Sequence, residues 1–455
     1  MALATFFQKG IVILSIPVFT RLMNPGDYGA FGVFASWVEV LGLLTSLCLS
    51  KGVFNNGLHE FKQDRDVLSF SMLVLSNCST VGVMGVVLGV SFLFPDLFNF
   101  PPILFLIMLA YFLFEPAYNL WSVRQRFEYR YKMQTIVACC STILSTVFAI
   151  ALVYFYPGEA VVMRASGMYG VLICLYLILY VSQAKKAGLR VNFSYWRYAL
   201  SFNLPLIPHY LSLYLLSHFD RIMIAGYLGD SAAGIYTLAY QIGSAASIVW
   251  VAINASLIPY TYEKCERGDY ESIRNTTHAV LSIYAAVCFA VVLVAPELVA
   301  ILAPSSYGDG VYLVPLVVAG VFFSSLYYIF ANVIYYFRKT KYVMMASIVS
   351  AVLNVCLNAL FIPIFGIVAA ACSTVLCYAV QSMIDYWAMR KVVKKSIYNM
   401  KFVFVLASGM LIFSCVAIFS YDNLLVRALL AVIAGTLVMV LGKRLSQIQK
   451  KGRHD

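Results

Sequence analysis

The chain has 455 residues, 62% of them hydrophobic and only 11% charged, with a mean hydropathy of +0.85. A soluble domain is typically about 45–50% apolar and about a quarter charged, so this sequence has too few polar groups to cover a globular surface and reads as an all-α polytopic membrane protein. Its 32 Lys and Arg against 20 Asp and Glu give a net charge of +12, read here as topology and not as a nucleic-acid surface, because cytoplasmic loops of membrane proteins collect Lys and Arg.

A spanning helix needs about 20 apolar residues. Runs bounded by charges, Pro and Gly predict fourteen helices, near residues 3–22, 28–50, 68–94, 102–123, 134–156, 160–182, 199–227, 231–259, 275–303, 311–337, 342–363, 366–389, 401–420 and 424–442. With the N-terminus cytoplasmic, 28 of the 32 basic residues fall in inner segments, and the outer turns at 94–101, 226–234 and 303–310 hold none. That alternation predicts an even number of spans with both termini cytoplasmic. Basic inner loops also attract anionic lipid headgroups, so membrane lipids are expected partners. Lys9, Pro17 and Arg21 interrupt the first apolar run, which is therefore not expected to be a cleavable signal peptide. The eleven cysteines form no CxxC or Cys/His spacing, so neither a metal site nor a disulfide framework is expected.

The second predicted helix opens with Pro25-Gly26-Asp27-Tyr28-Gly29-Ala30-Phe31, and the eighth with Gly229-Asp230-Ser231-Ala232-Ala233-Gly234-Ile235-Tyr236; Gly29 and Gly234 are 205 residues apart. Residues 132–152 match 341–360 at a shift of 209, with Ser141 over Ser350 and Leu144 over Leu353. Both pairs join helix n to helix n+6. They predict a six-helix unit used twice, residues 1–190 and 191–395, with a further helix pair and a basic tail at 396–455, the two lobes related by an axis along the membrane normal.

Embedded charges mark candidate function, because they are costly in lipid and normally face a partner or a water-filled cavity. Arg21 closes helix 1, Arg164 opens helix 6 and Arg427 opens helix 14; all three are expected to snorkel to the outer interface. Glu39 and Glu115 lie in mid-helix, each open to two readings: a substrate, proton or sodium contact, or a structural ion pair. Glu115, Asn119, Ser122 and Arg126 share one helical face at i, i+4, i+7 and i+11. Asn203, His209 and Tyr210 beside Pro205 and Pro208 form a broken polar segment of the kind that lines a cavity. Asp220, Arg221 and His218 share helix 7, which places Arg221 in the cavity or between lobes, whereas Asp385 is expected to pair with nearby Arg390.

Three segments resemble one known family. They are Ile16-Pro17-Val18-Phe19-Thr20-Arg21-Leu22-Met23-Asn24-Pro25-Gly26-Asp27-Tyr28-Gly29, then Asp220-Arg221-Ile222-Met223-Ile224-Ala225-Gly226-Tyr227 with Gly234-Ile235-Tyr236, and Asn354 through Asn358 with Ile362-Pro363-Ile364-Phe365-Gly366. The sequence resembles the Wzx-type polysaccharide flippases of the multidrug/oligosaccharidyl-lipid/polysaccharide exporter superfamily, over roughly residues 5–390. The resemblance implies a bacterial cytoplasmic-membrane protein that moves an undecaprenyl-pyrophosphate-linked oligosaccharide, such as an O-antigen unit of lipopolysaccharide, from the inner to the outer leaflet by alternating access. It implies work beside polysaccharide polymerase and assembly machinery, and it singles out Arg21, Asp220 and Arg221. Many relatives have twelve helices, so twelve is the alternative count. A pyrophosphate needs cationic donors, for which Arg forks are suited; Lys51, Arg124 and Arg126 supply them at the cytoplasmic mouth, and Arg21 and Arg221 nearer the outer side.

Two rivals stand beside this reading. A multidrug/cation antiporter of the same fold would use the embedded acids Glu39, Glu115, Asp220 and Asp385. A glycosyltransferase or polymerase would need a sizeable extramembrane loop, and the longest connection is about 51–67. No cofactor is expected, and coupling to H+ or Na+ is left open.

Overall fold

The computed structural model describes residues 2–98, 100–421, 423, 425–432 and 435, and these form helices and turns without a strand. In chain order the helices are α1 (Ala2–Leu22), α2 (Pro25–Thr45), α3 (Val53–Glu60), α4 (Arg65–Leu93), α5 (Pro102–Phe127), α6 (Tyr131–Phe155), α7 (Ala160–Ala187), α8 (Phe193–Asn203), α9 (Ile207–Leu228), α10 (Asp230–Ser244), α11 (Ala246–Glu266), α12 (Tyr270–Leu293), α13 (Ala295–Leu302), α14 (Val314–Tyr336), α15 (Thr340–Phe365), α16 (Ile367–Val393) and α17 (Met400–Ser420). Twelve stretches of the described residues are long and apolar enough to cross a membrane; α8 and α9 together make one, Phe193–Leu228, and α10 and α11 another, Asp230–Glu266. The 21-residue α1 stands outside those twelve. The predicted helix at 424–442 lies largely outside the described residues. Twelve is thus the count among described residues, and fourteen is not established.

Burial runs opposite to that of a soluble protein. Phe92 and Phe419 are each 86% exposed, while Asn354, Asn358, Gln381 and Asp385 are 0% exposed. Such a surface is stable only against hydrocarbon, where the backbone must satisfy itself within helices. α2 and α14 are the most enclosed spans.

Polar caps set several helix starts. Asn24 accepts from the Asp27 backbone N–H at 2.8 Å, and Pro25 occupies the first turn of α2, where its missing N–H costs nothing. Asn192 caps α8 through Ser194, Asp269 caps α12 through Ser272, and Asn399 caps α17 through Lys401 and Phe402.

Contacts gather the chain into two compact units, Met1–Gly234 and Ile235–Asp455, parting inside α10. In the first, α2 packs on α9, α5 and α6 pack on α7, and α1 packs on α6. In the second, α16 lies against α14 and α15, and α14 also meets α11 and α17. At one end of the first unit a buried cluster including Leu49, Phe54, Leu58, Leu68, Leu120, Tyr195 and Ala199 ties α3 and α8 to α4 and α5. It anchors the turn between α2 and α3, which carries Lys51.

Candidate functional site

The site begins with that turn. Leu47 and Cys48 stand at φ 49° and 54° and Gly52 at φ 156°; a left-handed conformation costs a non-glycine residue roughly 1–2 kcal/mol. The turn is held by Lys51 N–H donating to the Cys48 carbonyl at 2.8 Å, and by the buried Asn203 side chain, which donates to the Leu47 carbonyl at 3.0 Å. Asn203 does not line the cavity described next. It fixes the backbone that aims Lys51.

Lys51 projects into a cavity of about 90 Å³ lined by Glu39, Gly42, Leu43 and Ser46 with Val38, by Ser50 of the turn, by Tyr111, Glu115 and Asn119 of α5, and by Tyr214 of α9. Its ammonium donates to the Tyr214 hydroxyl at 3.1 Å and lies over the rings of Tyr214 and Tyr210, 4.5 and 4.8 Å from their centroids. Glu39 is exposed although it sits in mid-span; a carboxylate in that position is tolerable only against water. Glu115 precedes Pro116 in α5 and accepts a hydrogen bond from the Asn119 amide, one turn on. Among the described residues no ion pair joins Lys51 to either acid. The wall therefore offers a cation, carboxylate and amide acceptors, and phenol and serine hydroxyls, all lining one small cavity.

From Lys51 a polar stripe runs along one face of α9. Tyr210, Tyr214, His218 and Arg221 fall at i, i+4, i+8 and i+11, spanning about 16 Å at 1.5 Å per residue. The Tyr214 and His218 rings stack at 5.9 Å, and an Arg221 guanidinium nitrogen lies 3.4 Å from His218 Nδ1. Arg221 and Asp220 are both buried. Just beyond them Ile222, Ala225, Gly226 and Gly229, with Ala30, Val33, Phe100 and Asp230, line a second cavity of about 280 Å³.

The remaining predicted residues lie elsewhere. His209 is half-buried, its ring 5.4 Å from that of Tyr210, and its Nδ1 has no hydrogen-bond partner. Arg21 is exposed and donates to the Pro17 carbonyl at 2.8 Å. Arg124 is held by Asp66 at 2.5 Å and Glu128 at 2.8 Å, and Arg126 turns back to the Ser122 carbonyl at 3.3 Å. Of the three cations expected at the mouth, Lys51 lines the cavity described above. Arg164 does not reach outward as expected: it is buried, with its guanidinium over Phe19, Phe31 and Tyr28 at 3.9, 4.0 and 4.8 Å. Arg427 pairs with Glu297 at 2.7 Å. Asp385 makes no pair with Arg390; it is wholly buried, and Arg390 is exposed.

Sequence reasoning missed Tyr111, Tyr214, Ser46 and Ser50, all on the cavity wall. The repeated spacing from Tyr210 to Arg221 was the available signal for Tyr214. Nothing local marks Ser46 or Ser50, which line the cavity because they belong to the turn that ends α2.

The family described as "Polysaccharide biosynthesis protein" matches residues 1–264. The Lsg locus protein 1 of Haemophilus influenzae is 22% identical over 356 residues, 76% of this chain and 86% of that protein. AglR of Haloferax volcanii, named as a probable flippase, is 25% identical over 285 residues, 59% of this chain and 57% of that protein. Among solved structures, the lipid II flippase MurJ in an inward closed conformation superposes with a TM-score of 0.70 at 13% identity, covering 97% of this chain and 98% of that one. An inward-facing multidrug resistance MATE family transporter of the MOP superfamily gives 0.65 at 13% identity over 85% and 96%. At such identities the structural likeness speaks to the fold alone.

Proposed function

The chain belongs to the polysaccharide biosynthesis protein family, and from that premise we propose that it is a flippase carrying an undecaprenyl-pyrophosphate-linked oligosaccharide from the inner to the outer leaflet of the cytoplasmic membrane by alternating access. The observation that carries this reading is the single polar face of α9, which leads from Lys51 in one cavity to Arg221 beside a second. A pyrophosphate is met first by the Lys51 point charge and then by the Arg221 fork, which suits bidentate phosphate contact. Glu39, Glu115, Asn119 and Ser46 supply hydrogen-bond partners for sugar hydroxyls, while the lipid tail stays in hydrocarbon. A cavity of about 90 Å³ holds only a few waters at about 30 Å³ each, so admitting a sugar requires α2, α5 and α9 to move apart. Both termini are cytoplasmic in this reading, the duplicated lobes are residues 1–190 and 191–395, and polymerase and assembly machinery act on the delivered product.

The test is reconstitution of the full chain in liposomes bearing a fluorescently labelled lipid-linked oligosaccharide, with sidedness read by quenching. Flipping by wild type and its loss in Arg221→Ala are expected; unchanged flipping in that variant removes Arg221 from the path. A glycosyltransferase or polymerase would leave covalently altered product in the same assay, whereas a flippase changes only sidedness. A second reading, a multidrug/cation antiporter, is favoured by the two carboxylates in the Lys51 cavity. Export of organic cations by the reconstituted protein, without movement of lipid-linked sugar, would decide for it.

A further inference from the structure

Asp385 belongs to no part of the path just described. It lies in α16 of the second unit, 0% exposed, and neither carboxylate oxygen has a hydrogen-bond partner. The basic residues that follow it turn away: Arg390 is exposed, and Lys391 sits over the Tyr342 ring at 5.8 Å. α16 packs against α14 and α15, and Asp385 lies on its buried side. From α14 the buried Tyr327 phenol lies within electrostatic reach of Asp385. The buried residues of the α15 seam, Ser347, Ser350 and Asn354, do not titrate. One turn before Asp385, buried Gln381 donates to Ser347 at 3.4 Å, and its own carbonyl oxygen accepts no hydrogen bond.

An ionised carboxylate in such a place has neither water nor counter-charge, a burden of several kcal/mol that proteins avoid by pairing or neutralising the group. No group of three or more His, Cys, Asp or Glu gathers around Asp385 among the described residues. A proton needs one oxygen. We propose that Asp385 is a proton-binding site of the second unit: it holds a proton as the neutral acid while α14, α15 and α16 are packed as described, and releases it to water as hydronium when those helices part enough to wet it. The use of that proton to drive transport rests on the flippase reading; the site itself does not.

The closing experiment has two arms on the full-length protein. In the first, infrared spectra of protein carrying 13C-labelled aspartate carboxyls are recorded at neutral pH. A protonated aspartate band is expected in wild type and absent from Asp385→Asn, which keeps the side chain's shape and is permanently neutral. If that variant does not fold, the wild-type band and its disappearance on raising the pH carry the test, and aspartates that are all ionised at neutral pH overturn the proposal. In the second, liposomes carry labelled lipid-linked oligosaccharide under an imposed proton gradient. One pH unit should accelerate wild-type flipping by up to about tenfold and leave Asp385→Asn unmoved. Stimulation that survives in the variant, or that follows a sodium gradient and not a proton gradient, overturns the coupling. Wild type that moves no lipid-linked sugar defeats the flippase reading alone, and the infrared arm still judges the site.

Discussion

Gly29 at the start of α2 and Gly234 in α10 face each other with no room for a side chain: a Cβ on Gly29 would stand 2.6 Å from the Gly234 nitrogen, and one on Gly234 would stand 3.1 Å from the Gly29 nitrogen. The contact is reciprocal. A Gly29 Cβ would lie 1.8 Å from the Asp230 carbonyl oxygen and a Gly234 Cβ 2.0 Å from that of Pro25, and both pairs, 25 with 230 and 29 with 234, are separated by the repeat shift of 205. The two copies of one motif thus cross each other, and the glycines are required by space and not by φ.

Either Gly29→Ala or Gly234→Ala should therefore lower stability by about 1–3 kcal/mol through overpacking against backbone that cannot yield. Gly85→Ala in exposed α4, where an added Cβ meets nothing within 4 Å, should be neutral or stabilising by up to about 1 kcal/mol. Thermal melting in detergent checks the contrast, and equal behaviour of all three variants would refute the steric account.

Lys51→Gln removes the cation from the Tyr210 and Tyr214 rings while leaving the turn's backbone intact. Charged hydrogen bonds contribute about 1.5–3 kcal/mol, so flipping should fall by about tenfold or more with little change in melting temperature. Tyr214→Phe keeps the ring beneath Lys51 and loses only the hydroxyl that accepts from it; its loss should stay within about tenfold. If Lys51→Gln flips at the wild-type rate, the cavity is not the entry site.

Asn203→Ala should behave differently from Lys51→Gln. It leaves the part-buried Leu47 carbonyl without its donor in a turn already held at positive φ, at about 1–3 kcal/mol. Melting temperature and flipping should fall together, because the aim of Lys51 depends on that backbone. A variant with full thermal stability and lost flipping would instead place Asn203 in contact with substrate.

The membrane class and the helix start at Pro102 were legible because each is written in consecutive residues, whereas the helix predicted from residue 28 begins at Pro25, where the Asn24 cap sets it. The fate of the cations was not legible. Arg124, Arg126 and Lys51 look equivalent in sequence, yet Asp66, distant in the chain, claims Arg124, and the Asn203-bound turn frees Lys51 to meet Tyr214. Asp385 and Arg390 look like neighbours along α16, but five residues of helix turn one inward and the other outward. The repeat places its boundary near residue 190, while packing parts the chain at Gly234, because α9 lies on α2 and α8 on α4. Long-range partners decide each of these, and spacing along the chain does not carry them.

Strong acid should loosen the short turn between α11 and α12, outside the spans. Hydrogen bonds from Ser272, then the Lys264 ammonium at 2.9 Å, hold the Asp269 carboxyl down to about 2, below its ordinary 3.8. A carboxyl lower in the folded state stabilises above its unfolded value and loses that contribution as pH falls from 3.8 toward about 2. Asp269→Asn should melt slightly earlier than wild type at pH 7 and converge with it as pH falls toward about 2, flattening the acid limb by an amount kept small because the turn is solvated and its ion pair screened. An unchanged acid limb would show that other carboxylates set it.

Arg164 offers the sharpest separation of structure from transport. Its guanidinium is stacked on Phe19 and Phe31 and lines neither of the two cavities described above, so its planarity matters as well as its charge. Arg164→Lys keeps the cation but replaces a delocalised plane with a compact, strongly hydrated ammonium, and a desolvated cation–π contact is worth about 2 kcal/mol. The lysine variant should therefore melt earlier, with flipping per folded molecule unchanged. A lysine variant as stable as wild type but unable to flip would mean that Arg164 leaves its aromatic cage during the cycle and touches the substrate itself.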